Sequence, residues 1–349
     1  MAQINKPSDY FRIKLYAGDG NQNRAITWDE SSNMKPDWLW FKNRSATQSH
    51  CIFDSTRGPL QRLITNSSGG QNTENTNLDS FDTNGFTVDH EAIINGNGAN
   101  YVTWGWKANG GTTSSNSSGT ITSTVQADTT AGFSIVTYQG TGSNATVGHG
   151  LGVAPEAVII KCTNDSQNWR VYHKGMDATA PEDYALILNN TTVRDNDNTA
   201  FNDTAPTSTT FSIGTSATIN QNGNTHVAYC FAEKKGYSKF GTYIGNGSAD
   251  GPFIYTGFRP ALVIQRQVDD IRDWTMIDSK RAAFNVMDER LVPNESAAEA
   301  TNNDTDFYSN GFKCRRDQTN TNGSGLRYIY WAWAENPIVG SNNVPAVAK

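Results

Sequence analysis

Large apolar residues recur at alternate positions in short runs separated by stretches rich in Gly, Asn, Ser and Thr, the period of a half-buried β-strand. Trp104-Gly105-Trp106, Tyr229-Cys230-Phe231 and Trp331-Ala332-Trp333 follow this alternation. Three other runs are apolar at successive positions: Pro36-Asp37-Trp38-Leu39-Trp40-Phe41-Lys42, Pro155-Glu156-Ala157-Val158-Ile159-Ile160-Lys161 and Pro260-Ala261-Leu262-Val263-Ile264-Gln265-Arg266. Each begins at a proline and reaches a base six residues later. A continuous apolar run predicts a strand covered on both sides or set in the middle of a sheet. Its alternation puts Trp38 and Trp40 on one face and Leu39 and Phe41 on the other.

These runs belong to a unit that occurs three times. Each unit opens with a strand ending in Tyr-x-Gly-x-Gly, at Tyr16/Gly18/Gly20, Tyr138/Gly140/Gly142 and Tyr243/Gly245/Gly247. The two glycines mark a turn or bulge that needs backbone freedom. The Pro-led strand follows, and eighteen residues after its proline a polar residue closes another strand, at Asp54, His173 and Asp278. Trp169 and Trp274 stand four residues before that position, whereas the first unit lacks the tryptophan. A Leu three residues before an Asn comes next (Leu63/Asn66, Leu186/Asn189, Leu291/Asn294), then an apolar Phe at 86, 211 and 312. An Asn-Gly pair (Asn97-Gly98, Asn222-Gly223, Asn322-Gly323) leads into the closing aromatic strand.

The predicted fold is all-β: three tandem antiparallel β-sandwiches, jelly-roll or concanavalin-like, of about 100 residues each. The boundaries read as 1–108, 120–236 and 237–337, with a flexible polar linker at 109–119 and an extended tail at 338–349. Alternation over Thr120 to Ala127 predicts an additional strand in the second unit, with a sheet edge as one place for it. The linker predicts that the first unit pivots while the second and third pack rigidly. The one helical candidate is Ser279 to Arg290.

Composition agrees with a turn-rich β protein: hydrophobic residues are 36%, charged residues 18%, and there are 31 glycines. A net charge of −6 gives no basic face for nucleic acid, and no apolar run is long enough to insert in a membrane. No apolar leader is present at the N-terminus, so synthesis in a cytoplasm is expected. The four cysteines (51, 162, 230 and 314) are far apart and read as free, buried thiols.

Signals for chemistry are sparse. The five histidines form no metal-ligand spacing, and neither a nucleophile elbow nor a phosphate loop is present. Lys42 with Asp54, and Arg266 with Asp278, are expected to form structural ion pairs between neighbouring strands. No catalytic residue, cofactor or metal is assigned. Ca²⁺ is weighed for the alternating oxygen ligands of Asp195-Asn196-Asp197-Asn198 and Asn302-Asn303-Asp304-Thr305-Asp306, against solvated loops. Asp269, Asp270 and Asp273 beside Trp274 are the crowded acids that a glycosidase reading would use. The nine tryptophans fall within strands and read as core, with the loops that differ between units as the ligand surface.

The strings Pro36 to Ser45, Ser80-Phe81-Asp82 through Gly85-Phe86-Thr87-Val88, Tyr101 to Lys107 and Gly251 to Pro260 resemble a repeated domain common in structural and tail-fibre-like virion proteins of marine tailed bacteriophages, of the cyanophage and pelagiphage type. The sandwich also resembles concanavalin-like and SPRY-like domains at the level of fold. The resemblance implies a non-enzymatic, homo-oligomeric virion surface protein, a fibre, appendage or host-attachment module. Its partners would be capsid, tail or further copies of itself, and a host-surface glycan or outer-membrane receptor. The absence of a coiled-coil shaft shifts weight to a compact appendage, a fibre tip or a head-decorating cement whose ends, Met1 to Asp9 and Asn336 to Lys349, strap onto partners.

Overall fold

The computed structural model describes residues 3–282 and 284–336, with the backbone alone at 302–304. Within these residues the chain is nearly all antiparallel β. Each unit builds a main sheet with the same central order: opening strand, closing strand, Pro-led strand, and the strand that ends at the recurrent polar position. In unit one these are Phe11–Ala17, Asn100–Trp106, Trp38–Asn43 and Cys51–Asp54. In unit two they are Phe133–Gln139, Thr225–Phe231, Ala157–Cys162 and Arg170–His173, and in unit three Ser238–Ile244, Arg327–Trp333, Leu262–Gln267 and Thr275–Asp278. A second sheet covers one face of each, such as Arg24–Thr27, Gly85–Val88 and Leu78–Asp82 in unit one. The sandwich class expected from alternation is the class observed.

The Pro-led strands explain how the three sandwiches meet. A strand flanked by partners and apolar on both sides must be covered on both faces, and all six residues of each of these strands are buried. Leu39 and Phe41 point into unit one's own core, with Phe86. Val158 and Ile160 do the same in unit two, and Val263 in unit three. The opposite faces, Trp38 and Trp40, Ala157 and Ile159, Leu262 and Ile264, all join a single central core shared by the three units. Rings from different units touch there: Trp38 lies 4.8 Å from Tyr229, and Trp106 lies 5.3 Å from Trp333. A gap of about 10 Å³ remains among Trp38, Trp40, Ile159, Phe231, Ile264 and Trp331, at the lower limit for one water.

Three expectations change. The segment after unit one is not a free hinge. Asp37 Oδ2 accepts from the amides of Ala108 and Gly110, residues Asn109–Gly111 form a 3₁₀ turn, and Ser114–Asn116 is the edge strand of unit two's main sheet. With Gln126 bonded to Ser55 and Thr56 across the boundary, unit one is fastened to unit two rather than pivoting. The helix expected over Ser279 to Arg290 is instead a turn followed by the strand Met287–Arg290. That strand pairs with Ala300–Tyr308, a long-range partner that local propensity does not reveal. At the N-terminus, Ile4 is buried in the shared core and its amide donates to the Lys235 carbonyl, so this segment straps this chain itself. The tail expected at 338–349 lies outside the described residues.

A shared core predicts that the units do not fold alone. Residues 1–108 expressed by themselves would expose Trp38, Trp40, Trp104 and Trp106, and are expected to give no soluble monomer with a cooperative melt, while the whole chain unfolds in one transition. Calorimetry of both would reveal the opposite if each sandwich were self-sufficient.

Candidate functional site

The recurrent turn is structural. Tyr16, Tyr138 and Tyr243 donate their hydroxyls to the carbonyls of Ile94, Ile219 and Thr321. The first glycine of each pair passes so close to a neighbouring carbonyl that a β-carbon would meet it at 2.1 to 2.4 Å. The second sits at φ between +65° and +71°, which side-chain-bearing residues rarely adopt. Asn95, Asn220 and Asn322, fully buried, bind the intervening amide. Asn322-Gly323 therefore matches Asn95-Gly96, and the counterpart of Asn97-Gly98 in unit three is Ser324-Gly325.

The recurrent polar residues act between units, in a cycle. Asp54 of unit one accepts from the Tyr229 hydroxyl of unit two at 2.7 Å. His173 of unit two reaches the Tyr330 carbonyl of unit three at 3.2 Å, its ring 4.7 Å from that of Trp331. Asp278 of unit three accepts from Trp104 Nε1 of unit one at 3.1 Å. Because His173 Nδ1 accepts from the Gly175 amide, the ring is neutral with its proton on Nε2. Burial holds its pKa down to about 3.

The predicted pairs Lys42–Asp54 and Arg266–Asp278 are corrected by register. Antiparallel pairing sets Asp54 opposite Trp38 and Asp278 opposite Leu262, at the start of the Pro-led strand, whereas the base stands at its end. Each acid instead takes the arginine three residues on: Arg57 Nε and Arg281 Nε both lie 2.6 Å from a carboxylate oxygen. The bases bind carbonyls of the neighbouring unit. Lys42 Nζ donates to Ser296, Lys161 Nζ to Ser68, and Arg266 Nη2 to Thr191 and Thr192. Burial lowers the pKa of Lys42 and Lys161 to about 8 and that of Arg266 to about 10.

The tryptophans follow the same cycle. Trp169 Nε1 donates to the Ile64 carbonyl of unit one and Trp274 Nε1 to the Ile187 carbonyl of unit two, and Asn189 and Asn294 bind their amides. In unit one His50 takes that place, with Asn66 on its amide and Trp40 Nε1 donating to its Nδ1. Trp40 in turn stands where the other units have Ile159 and Ile264. The ring lost at one position is thus restored on the adjacent strand, keeping the central volume filled.

Three equivalent junctions result, each closed by a backbone bond: Gln71 to the Thr163 carbonyl, Arg194 to Val268 and Glu299 to Arg44. Their side chains differ. Arg194 pairs with Asp269 at 2.9 Å, and Arg44 with Glu299 at 2.7 Å. The junction between units one and two has no such pair among the described residues and leaves a polar groove of about 250 Å³ lined by Gly70, Gln71, Asn72, Thr163, Asn164 and Asp165. This is the loop difference to which sequence reasoning pointed without locating it. The Asp165 carboxylate lies below its ordinary range, held first by the Ser166 amide and then by Gln221.

The acids weighed for a glycosidase and the first loop weighed for Ca²⁺ serve ion pairs. Asp269 goes to Arg194, Asp270 to Arg272 and Asp273 to Arg290, so the trio faces three different arginines. Asp195 and Asp197 converge on Arg170, and Asp197 caps the short helix Asn198–Phe201. In the second loop weighed for Ca²⁺, the side chains at 302–304 lie outside the described residues. All nine tryptophans are buried, and the four cysteines are buried and free. No curated protein and no solved structure matches this chain significantly. One family model, described as a domain of unknown function (DUF7483), matches residues 6–337 across all three units, and the chain belongs to that family.

Proposed function

We propose that this chain is a non-enzymatic bacteriophage virion surface protein, an appendage or attachment module that presents its loops from a rigid, pseudo-threefold block. The observation that carries the reading is the cycle of junctions. Asp54, His173 and Asp278, the three bases and Trp169 and Trp274 all fasten one unit to the next. The positions most repeated along the chain are therefore occupied in assembly, leaving the differing loops as the recognition surface. The likeness to tail-fibre-like proteins supports the same reading. Capsid decoration is a second reading, favoured because a chain with three similar faces matches a threefold point on a shell.

Antibody against the purified chain is expected to label intact particles of the phage that encodes it, with the label on tail or head separating the two readings. Purified particles that contain none of the chain by mass spectrometry would remove both.

A further inference from the structure

Unit three carries a ring-lined platform that the other units lack. In its second sheet the edge strand Phe253–Tyr255 pairs with Gly311–Cys314, which pairs with Ala300–Tyr308. Residues directly opposite each other share a face, so Phe253, Lys313 and Asp306 form one outward row and Tyr255, Gly311 and Tyr308 the next. Ile254, Phe312 and Phe307 point the other way and are buried in unit three's core. Tyr255 is 64% exposed and Phe253 47%. Phe253 meets Tyr308 edge-on at 5.8 Å, leaning over Gly311, where a β-carbon would come within 2.8 Å of its ring. The glycine thus gives the rings a low floor to surround.

The equivalent rows are bare elsewhere. Unit one has Ala25, Thr87 and Ser80, then Thr27, Gly85 and Asp82. Unit two has Thr146 with Ser212 and Gly148 with Thr210. Neither sheet requires aromatic residues at these positions to fold, so the rings of unit three have no counterpart in the packing the units share.

We propose that this platform binds a neutral saccharide, one hexopyranose ring stacked on Tyr255 and Phe253. The C–H face of a pyranose is weakly positive and complements the negative face of an aromatic ring, while its hydroxyls reach polar groups at the edge. Those groups are present: Lys313 pairs with Asp250 at 2.5 Å, Arg315 with Asp306 at 3.4 Å, and the Tyr308 hydroxyl donates to Asp306 at 3.0 Å. Each charge already has an opposite neighbour, so the rim offers donors and acceptors without a net sign and favours a neutral ligand. Three partly exposed rings offer roughly 300 Å², well below the roughly 800 Å² per partner of a stable protein interface. That patch size suits one or two sugar rings and is typical of functional patches on monomers.

The proposal rests on the attachment reading in that it names the ligand such a module would hold. The test is an array of neutral and acidic oligosaccharides probed with the full chain and with the double variant Phe253→Ala/Tyr255→Ala, followed by titration calorimetry of the best ligand. Both substitutions are at exposed positions, so an unchanged melting temperature certifies the variant's fold. Binding of a neutral oligosaccharide that the variant weakens at least tenfold is expected. Equal binding by both proteins, binding confined to acidic glycans, or a dimer that the variant dissolves would each overturn the platform. Host-cell adsorption retained by the variant, with no glycan bound, would discard the platform and leave the attachment reading standing. If neither glycans nor cells are bound, the platform and the attachment reading both fall, and particle labelling decides whether decoration survives.

Discussion

Asp54→Ala is expected to destabilise the whole chain by about 3–5 kcal/mol, the cost of leaving a buried partner charge uncompensated. Asp54 is fully buried and its carboxylate joins two units: Oδ2 receives Arg57 Nε and the Tyr229 hydroxyl, while Oδ1 receives the Arg57 amide and closes the turn. Without it, Arg57 retains only neutral partners among the described residues, Gln71 Oε1 and the Tyr229 hydroxyl. The counterpart Asp278→Ala removes the same contacts from Arg281, but Arg281 Nη1 keeps Glu299 at 2.9 Å. Its loss should therefore fall at the low end of that range. Denaturant unfolding at pH 7 should rank the two variants in that order, both as a shift of one transition because the core is shared. If the Ala variants do not fold, Asp54→Asn, which keeps an acceptor and removes the charge, provides the measurable intermediate. Losses below 1 kcal/mol for both acids would contradict the pairing described.

The periodicities were legible because they are local. Continuity at Trp38 to Phe41 correctly predicts a fully covered strand, whereas alternation at Trp104 to Trp106 predicts the strand but not its cover, because Tyr101 to Trp106 is buried on both faces. The opposite faces of Trp38 and Leu39 were also readable, and they prove to line two different cores. What covers the tryptophan face was not readable. A strand apolar on both sides demands cover, yet nothing local says whether it comes from the same unit or from the other two. The ion pairs failed for a related reason. Spacing places Asp54 and Lys42 on neighbouring strands, but register decides which residues are opposite, and antiparallel pairing sends them to opposite ends. His50 shows a third limit: its role depends on Trp40, and only packing shows that one replaces bulk missing from the other.

The same arrangement changes the meaning of the repeat. Three sandwiches in tandem could be beads on a string, each with a polar exterior. Here each main sheet has a dry outer face, and the contacts run from unit one to two, two to three and three to one, a heterologous interface that closes after three steps. One chain thereby builds what three subunits of a trimer would. Joining the units covalently lets them diverge, and they do diverge at the rim: an ion pair at two junctions, an open polar groove at the third, and exposed rings on unit three alone.

Acid should dismantle this ring well before the ordinary carboxylate range is reached. His50, His173 and His226 are fully buried, and burial is the first cause of their low pKa values: well below the usual range for His50, where Lys42 and Arg281 add to it, about 3 for His173 and about 4 for His226. In the unfolded chain each takes up a proton near pH 6.5. Below that pH the unfolded state binds more protons than the folded one, so stability is complete above about pH 6.5 and falls as the pH drops toward the folded values. Glu335 acts in the opposite sense. Burial raises its pKa to about 7, so the folded state holds a proton that an unfolded glutamate releases above about pH 4.3, and this group favours folding as pH falls from 7 to there. His149, also fully buried and lowered by burial, acts in the same sense, so four histidines less one glutamate leave a net difference of at least about two protons, or about 3 kcal/mol per pH unit between roughly pH 6 and 4.5. Over that window the loss approaches the net stability of a typical protein, about 5–15 kcal/mol. Melting temperatures recorded at pH 7.5, 6.0, 5.0 and 4.5 should fall steeply over the last three points. His173→Gln, whose amide can still donate to the Tyr330 carbonyl and accept from Gly175, should melt near wild type at pH 7.5 and lose about a quarter of the gross histidine slope. A melting temperature that stays level down to pH 4.5 would mean that these imidazoles meet water in the folded chain.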